Sequence, residues 1–134
     1  YIGTKGIINI ATKLGLKNII PPLRCNIGAG GGITPAIIAD MARKNNKKAI
    51  AVFNKISEYL AVGICGIINI FNPDMISFSG GISNNWDLIK KVFLRELIKR
   101  SFSTPLKHVK IIKSKNHKNL GAIGAALLSL EKRG

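Results

Sequence analysis

The chain has 134 residues, is 46% hydrophobic, and carries 21 Lys and Arg against 6 Asp and Glu, a formal charge of +15. That length suits one domain or a piece of one, and the apolar content excludes a disordered tail. The opening Tyr1-Ile2-Gly3-Thr4-Lys5 lacks a secretory leader's pattern, and the apolar stretch from Leu60 to Ile68 falls short of the roughly 18 residues a membrane span needs.

In chain order, Ile7, Ile8, Ala11 and Leu14 recur at helical spacing from Thr4 to Leu14, and Gly15 is a stop signal. An irregular stretch follows, broken by Pro21-Pro22 and loosened by Gly28-Ala29-Gly30-Gly31-Gly32. That glycine run reads as a connector, because no strand precedes it and no Lys-Ser/Thr follows, as a phosphate cradle requires. Thr34 caps the next helix with Pro35 at its first position, and the helix runs to about Lys44. After the turn at Asn45-Asn46 a long helix spans Lys47 to Phe71. Its first half is amphipathic through Val52, Phe53, Ile56 and Leu60. Its second half is apolar all round, which predicts burial, and Gly63 and Gly66 predict close approach of another backbone.

Asn72-Pro73 ends that helix, and Met75 to Ser79 reads as a buried strand. Gly80-Gly81 forms a turn before a helix from about Asn84 to Arg100, which Ser83 or Asn84 can cap. Val109 to Lys113 is a second strand, and a last helix runs from about Gly121 to Lys132. Helices alternating with short strands predict an α/β layer fold whose sheet is incomplete. Exposed core surface on such a piece predicts self-association into an oligomer.

The charge has two readings. A basic surface can meet nucleic acid, yet the lysines are dispersed and lack interleaved aromatics for base stacking. Lys, Ile and Asn are abundant together, a bias that AT-rich codons produce without any partner. Cys25 and Cys65 form no CxxC pair and read as reduced thiols of a cytoplasmic protein. His108 and His117 have no neighbouring ligand at metal spacing. Trp86, in the first turn after the glycines, can either shelter a flat ligand or pack on the sheet.

The most specific signal is the block from Asn69 to Trp86: a helix ending in Asn72-Pro73-Asp74, an apolar strand, then Ser79-Gly80-Gly81-Ile82-Ser83-Asn84 opening a helix. Glycines there let a backbone pass against a flat ligand at the carboxyl end of a strand, where open α/β sheets bind ligands. Asn69-Ile70-Phe71-Asn72-Pro73-Asp74-Met75-Ile76 with Ser79-Gly80-Gly81-Ile82-Ser83 resembles the adenosine segment of ROK-family sugar kinases. Leu120-Gly121-Ala122-Ile123-Gly124-Ala125-Ala126-Leu127 is similar to that family's final helix, and Tyr1-Ile2-Gly3-Thr4 looks like the stretch after its zinc-binding cysteines.

The resemblance implies the later part of the C-terminal lobe of an actin-like, ribonuclease-H-like ATPase fold across residues 1–134, with the N-terminal lobe absent. It implies an ATP-binding portion of a glucokinase-like hexose kinase, incomplete as a catalyst by itself. The alternative it carries is the sugar-sensing region of a ROK-type transcriptional repressor, the one case that would bring nucleic acid as a partner. ATP with Mg²⁺ is the implied cofactor, sugar the substrate through the missing half, and structural zinc belongs upstream of Tyr1. The nucleotide-binding residues carried over are Ser79, Gly80, Gly81, Ile82, Ser83 and Asn84, with no catalytic residue and no metal ligand. Ser79 stands where the family's turn usually has its first glycine, Asn119 where it often has an acid, and Gly121 and Gly124 pack the last helix near the hinge.

Overall fold

The computed structural model describes residues 3–16, 33–114 and 120–131. Pro21-Pro22, Cys25, the glycine run at 28–32, His117 and Asn119 lie outside them. The elements are α1 (Thr4–Lys13), α2 (Pro35–Arg43), α3 (Lys47–Phe71), β1 (Met75–Phe78), α4 (Gly80–Asn84), α5 (Trp86–Arg100), α6 (Ser103–His108), β2 (Lys110–Lys113) and α7 (Leu120–Glu131).

The helix ends explain themselves chemically. Helix α1 closes with Gly15 at φ +79°, so the Gly15 N–H reaches Thr12 O and the Leu16 N–H reaches Ala11 O. This pair of bonds satisfies the last carbonyls and folds Leu16 into the core, where it is 1% exposed. Helix α2 ends the same way with Asn45 (φ +61°) in the glycine position, and Asn46 N–H donates to Met41 O. Asn46 then turns outward as the cap of α3, its Oδ1 accepting from Lys48 and Ala49 N–H at 3.1 Å. Asn72, left-handed at φ +43°, ends α3. Asparagine tolerates the left-handed region at Asn45 and Asn72, and at Asn46 its short polar side chain bonds nearby backbone.

Packing centres on α3 and α5. The α3 residues Val52, Phe53, Ile56, Leu60, Ile64 and Ile68 form one buried stripe, and Ile89, Phe93 and Leu97 of α5 lie against it. Ser57 Oγ lies 2.7 Å from Phe53 O and 3.2 Å from Ile89 O, while the Cys65 thiol donates to Arg100 O at 3.1 Å. Both partner numbers rise together, so the two helices run parallel. Phe78, Trp86 and Phe93 meet with ring centroids 5.1–5.7 Å apart, which ties β1 to α5. Trp86 therefore takes the second of its two expected roles, packing on the sheet. Strands β1 and β2 pair in parallel, Met75 opposite Lys110 through Phe78 opposite Lys113.

Several expectations need correction. Gly80-Gly81 is the first turn of a short helix, α4, rather than a free turn, and α6 was not anticipated. The second half of α3 is not buried all round: Val62, Ile67, Ile70 and Phe71 are exposed. A Cβ built on Gly63 or Gly66 meets nothing within 4 Å, so no backbone presses on them among the described residues. Strand β1 buries Phe78 and half-buries Ile76, whereas Met75 and Ser77 face out. Period-2 alternation assigns opposite faces to successive side chains, and only one face here has a helical layer on it. Helix α7 leaves Ile123, Leu127, Leu128 and Leu130 exposed, and nothing described lies within 4 Å of a Cβ on Gly121 or Gly124. By length and composition α3 could cross a membrane, yet its apolar stripe is spent on α1, α2 and α5.

Candidate functional site

A crevice of 330 Å³ opens at the carboxyl end of β1. Ser79, Gly81 and Ile82 form one wall, Asn85 and Ile89 the next, and Gly3, Thr4 and Ile7 of α1 stand opposite, with Pro35 and Phe53 between. Its size falls within the roughly 300–1,000 Å³ of small-molecule sites. Helices α1 and α2 both begin at this crevice. The first N–H groups of a helix lack intrahelical partners, so the two starts lend it positive potential.

Of the six residues singled out in the sequence, Ser79, Gly81 and Ile82 line the crevice, Gly80 and Ser83 shape its turn, and Asn84 stands outside it. Gly80 sits at φ +68°, a left-handed conformation that turns the chain out of β1. Gly81 has no neighbour within 4 Å of its Cβ position, so its missing side chain is open space in the crevice. Ser83 is fully buried and its Oγ donates to Gly80 O at 2.7 Å, pinning the turn instead of capping α5. Asn84 is exposed outside the lining. The cap position of α5 belongs to Asn85, which makes no side-chain cap bond there. The Asn85 Nδ2 instead donates to Gly81 O at 3.2 Å.

Sequence reasoning missed the fastening behind this wall. Arg43, at the end of α2, donates to both carboxylate oxygens of Asp87 at 3.0 Å. Its Nη2 also reaches Asn85 Oδ1 at 3.3 Å and Asn84 O at 3.4 Å. A planar guanidinium fork matches a carboxylate in this two-toothed way. The hydrogen bond from Arg43 holds the Asp87 carboxyl below its ordinary value of 3.8, and the same bond raises Arg43. No spacing rule could have joined residues 44 positions apart.

The sign of the pH effect follows from that direction. A carboxyl whose folded value is depressed stabilises the fold above its unfolded value and loses the contribution as pH falls through the folded one. Both side chains are about half exposed, so solvent screening keeps the effect small. Asp87→Asn is expected to lower the urea midpoint slightly at pH 7 and to flatten its fall below pH 4. Parallel urea titrations of the two proteins at both pH values check this.

The lining contains no carboxylate, and Asp87 is occupied by Arg43. The crevice therefore offers, among the described residues, no carboxylate to hold Mg²⁺. Among the described residues no three His, Cys, Asp or Glu side chains converge as a metal site. A larger cavity of 550 Å³ lies on the other flank of α1, away from the glycine turn and the strand end.

Comparison with known proteins places this architecture. The family model described as the ROK family matches residues 8–132. A glucokinase of Pyrobaculum calidifontis is 26% identical over 98 residues, covering 72% of this chain and 33% of that protein. A protein named as a candidate xylose repressor of Caldicellulosiruptor sp. is 32% identical over 78 residues, covering 58% of this chain and 20% of that protein. The crystal structure of a candidate sugar kinase from Cytophaga hutchinsonii superposes with a TM-score of 0.76 at 22% identity, over 96% of this chain and 42% of that one. The chain therefore spans a fifth to about two fifths of the length of these relatives. With the family pattern matched across nearly all of its residues and the fold shared with a solved sugar kinase, the chain belongs to the ROK family.

Proposed function

We propose that residues 1–134 form the adenosine-binding side of an ATP-dependent hexose kinase, as the later part of the C-terminal lobe of an actin-like ATPase fold. The carrying observation is the crevice at the end of β1, into which Gly81 leaves open space and against which Ser79 and Ile82 stand. An adenine ring or ribose needs a flat gap between backbone and apolar side chains. Ile7, Phe53, Ile82 and Ile89 supply the apolar contacts, and the starts of α1 and α2 favour the negative end of a nucleotide. The glucokinase similarity supports the hexose as acceptor. Metal-assisted charge neutralisation of the phosphates is what Mg²⁺ supplies in such transfers, and the residues here contribute positioning.

The DxGGT-type and GTGxG-type phosphate loops expected of the family are not found in these 134 residues. The chain by itself is therefore expected to bind adenine nucleotide and to transfer no phosphoryl group to hexose. Similarity to a candidate xylose repressor and the charge of +15 favour a second reading, a sugar-sensing region of a transcriptional regulator. Trp86, the single tryptophan, packs beside the crevice wall and serves as the reporter. ADP is expected to change its fluorescence saturably, with UDP bound at least tenfold more weakly, about 1.4 kcal/mol. A flat response to ADP at millimolar concentration would remove the nucleotide reading.

A further inference from the structure

The larger cavity has no part in the nucleotide reading. At 550 Å³ it exceeds the crevice and falls well within the small-molecule range. Its walls come from two helices only among the described residues, and α1 separates it from the crevice. Ile10 and Leu14 of α1 and Ala51 of α3 form an apolar floor. Two small residues line it, Gly6 on α1 and Ala51 on α3. Glycine is a poor helix former, so its presence inside α1 suits a place where room is needed more than helix propensity.

Charge at the rim is one-sided. Lys13 stands in the last turn of α1, where the helix end favours a cation. Lys55 lines the opposite wall, its Nζ 5.3 Å from the centroid of the Tyr59 ring and 2.8 Å from Glu58. Lys48, two turns earlier on the same face of α3, brings its Nζ to 3.1 Å from the Cβ position of Gly15 at the end of α1. Lys13 and Lys55 thus both line the cavity, Lys55 already engaging Glu58, while Lys48 stands apart, nearer the start of α3. The Tyr59 ring, 37% exposed, offers a flat apolar surface beside that positive charge.

We propose that this cavity is a second ligand site, taking a small anion with a ring-sized apolar body. The head group, a phosphate or a carboxylate, sits between Lys13 and Lys55. The body rests on Ala51 and Ile10 beside Tyr59. Both parts are required: a bare ion leaves the apolar floor unused, and a neutral ring leaves Lys13 without a counter-charge.

Phenyl phosphate is the probe, followed by amide chemical shifts on the isotopically labelled chain. Saturable one-to-one binding is expected, with shifts centred on α1 and α3. Inorganic phosphate and benzyl alcohol should each bind at least about tenfold more weakly, as should phenyl phosphate to Lys13→Ala or Lys55→Ala, since a bond to a charged group is worth about that factor. Ala51→Phe fills the floor and should abolish binding; if that variant unfolds, Ala51→Leu carries the same expectation. Gly81→Val and excess ADP should leave phenyl phosphate binding unchanged. The proposal is overturned by unaltered binding to the lysine variants, by equal affinity for either half of the probe, or by no saturation. Displacement by ADP also overturns it, because the probe would then be reporting the crevice.

Discussion

Gly81→Val is expected to weaken ADP binding by about ten- to a hundredfold while leaving the chain folded. A Cβ at Gly81 meets nothing within 4 Å and its φ is not in the left-handed region, so the backbone accepts a side chain there. Because Gly81 lines the crevice, the two added methyl groups are expected to narrow it, and forcing a ligand past them costs on the order of 1–3 kcal/mol. The neighbouring Gly80→Val behaves differently. Its position is equally uncrowded, but φ is +68°, a region that a β-branched residue resists. That variant should lose stability first and affinity as a consequence. Thermal unfolding beside the Trp86 titration separates the two, and unchanged ADP affinity in a folded Gly81→Val protein would contradict the nucleotide assignment.

Phe93→Ala should give the largest stability loss of any single substitution in the helical layer, about 3–5 kcal/mol. Its side chain is fully buried and stands edge-on to Phe78 at 5.5 Å and tilted to Trp86 at 5.7 Å. Truncation removes one of the two ring contacts that join β1 to α5 and leaves a cavity in the core beside them. Because native proteins are stable by about 5–15 kcal/mol, a loss of this size takes a large share of the total. Urea denaturation followed by far-ultraviolet circular dichroism measures it, and a loss under about 1 kcal/mol would mean the aromatic cluster is not the hub described.

Glu96 shows how the strongly basic composition is accommodated. Lys99, Arg100 and Arg95 all donate to its carboxylate at 3.1–3.3 Å, with Lys99 the chief cause of a value held below the usual carboxylate range. One acid thus serves three cations of α5, beside the Arg43–Asp87 and Lys55–Glu58 pairs elsewhere.

Much of the local structure was legible in the sequence because it depends on neighbours a few positions apart. The Thr34-Pro35 start, the Asn46 and Gly15 boundaries, the 3.6-residue stripe of α3 and the family block around Gly80-Gly81 all follow from short-range geometry. The short helices α4 and α6 were missed for want of a periodic run, and the burial errors share one cause, which is that burial depends on what lies opposite. An apolar helix reads the same whether one face or all faces are covered, so the exposure of Val62, Ile70 and Phe71 was invisible. The same holds for the site. Ser79, Gly80, Gly81 and Ile82 could be named from the chain, and their use by a nucleotide remains the proposal made above. That α1 and Pro35 close the crevice, that Asn85 braces Gly81, and that Arg43 grips Asp87 from another helix were decided by tertiary packing alone. The Arg43–Asp87 grip and the meeting of α1 with the glycine turn join residues tens of positions apart, and no periodicity encodes a distance of that kind.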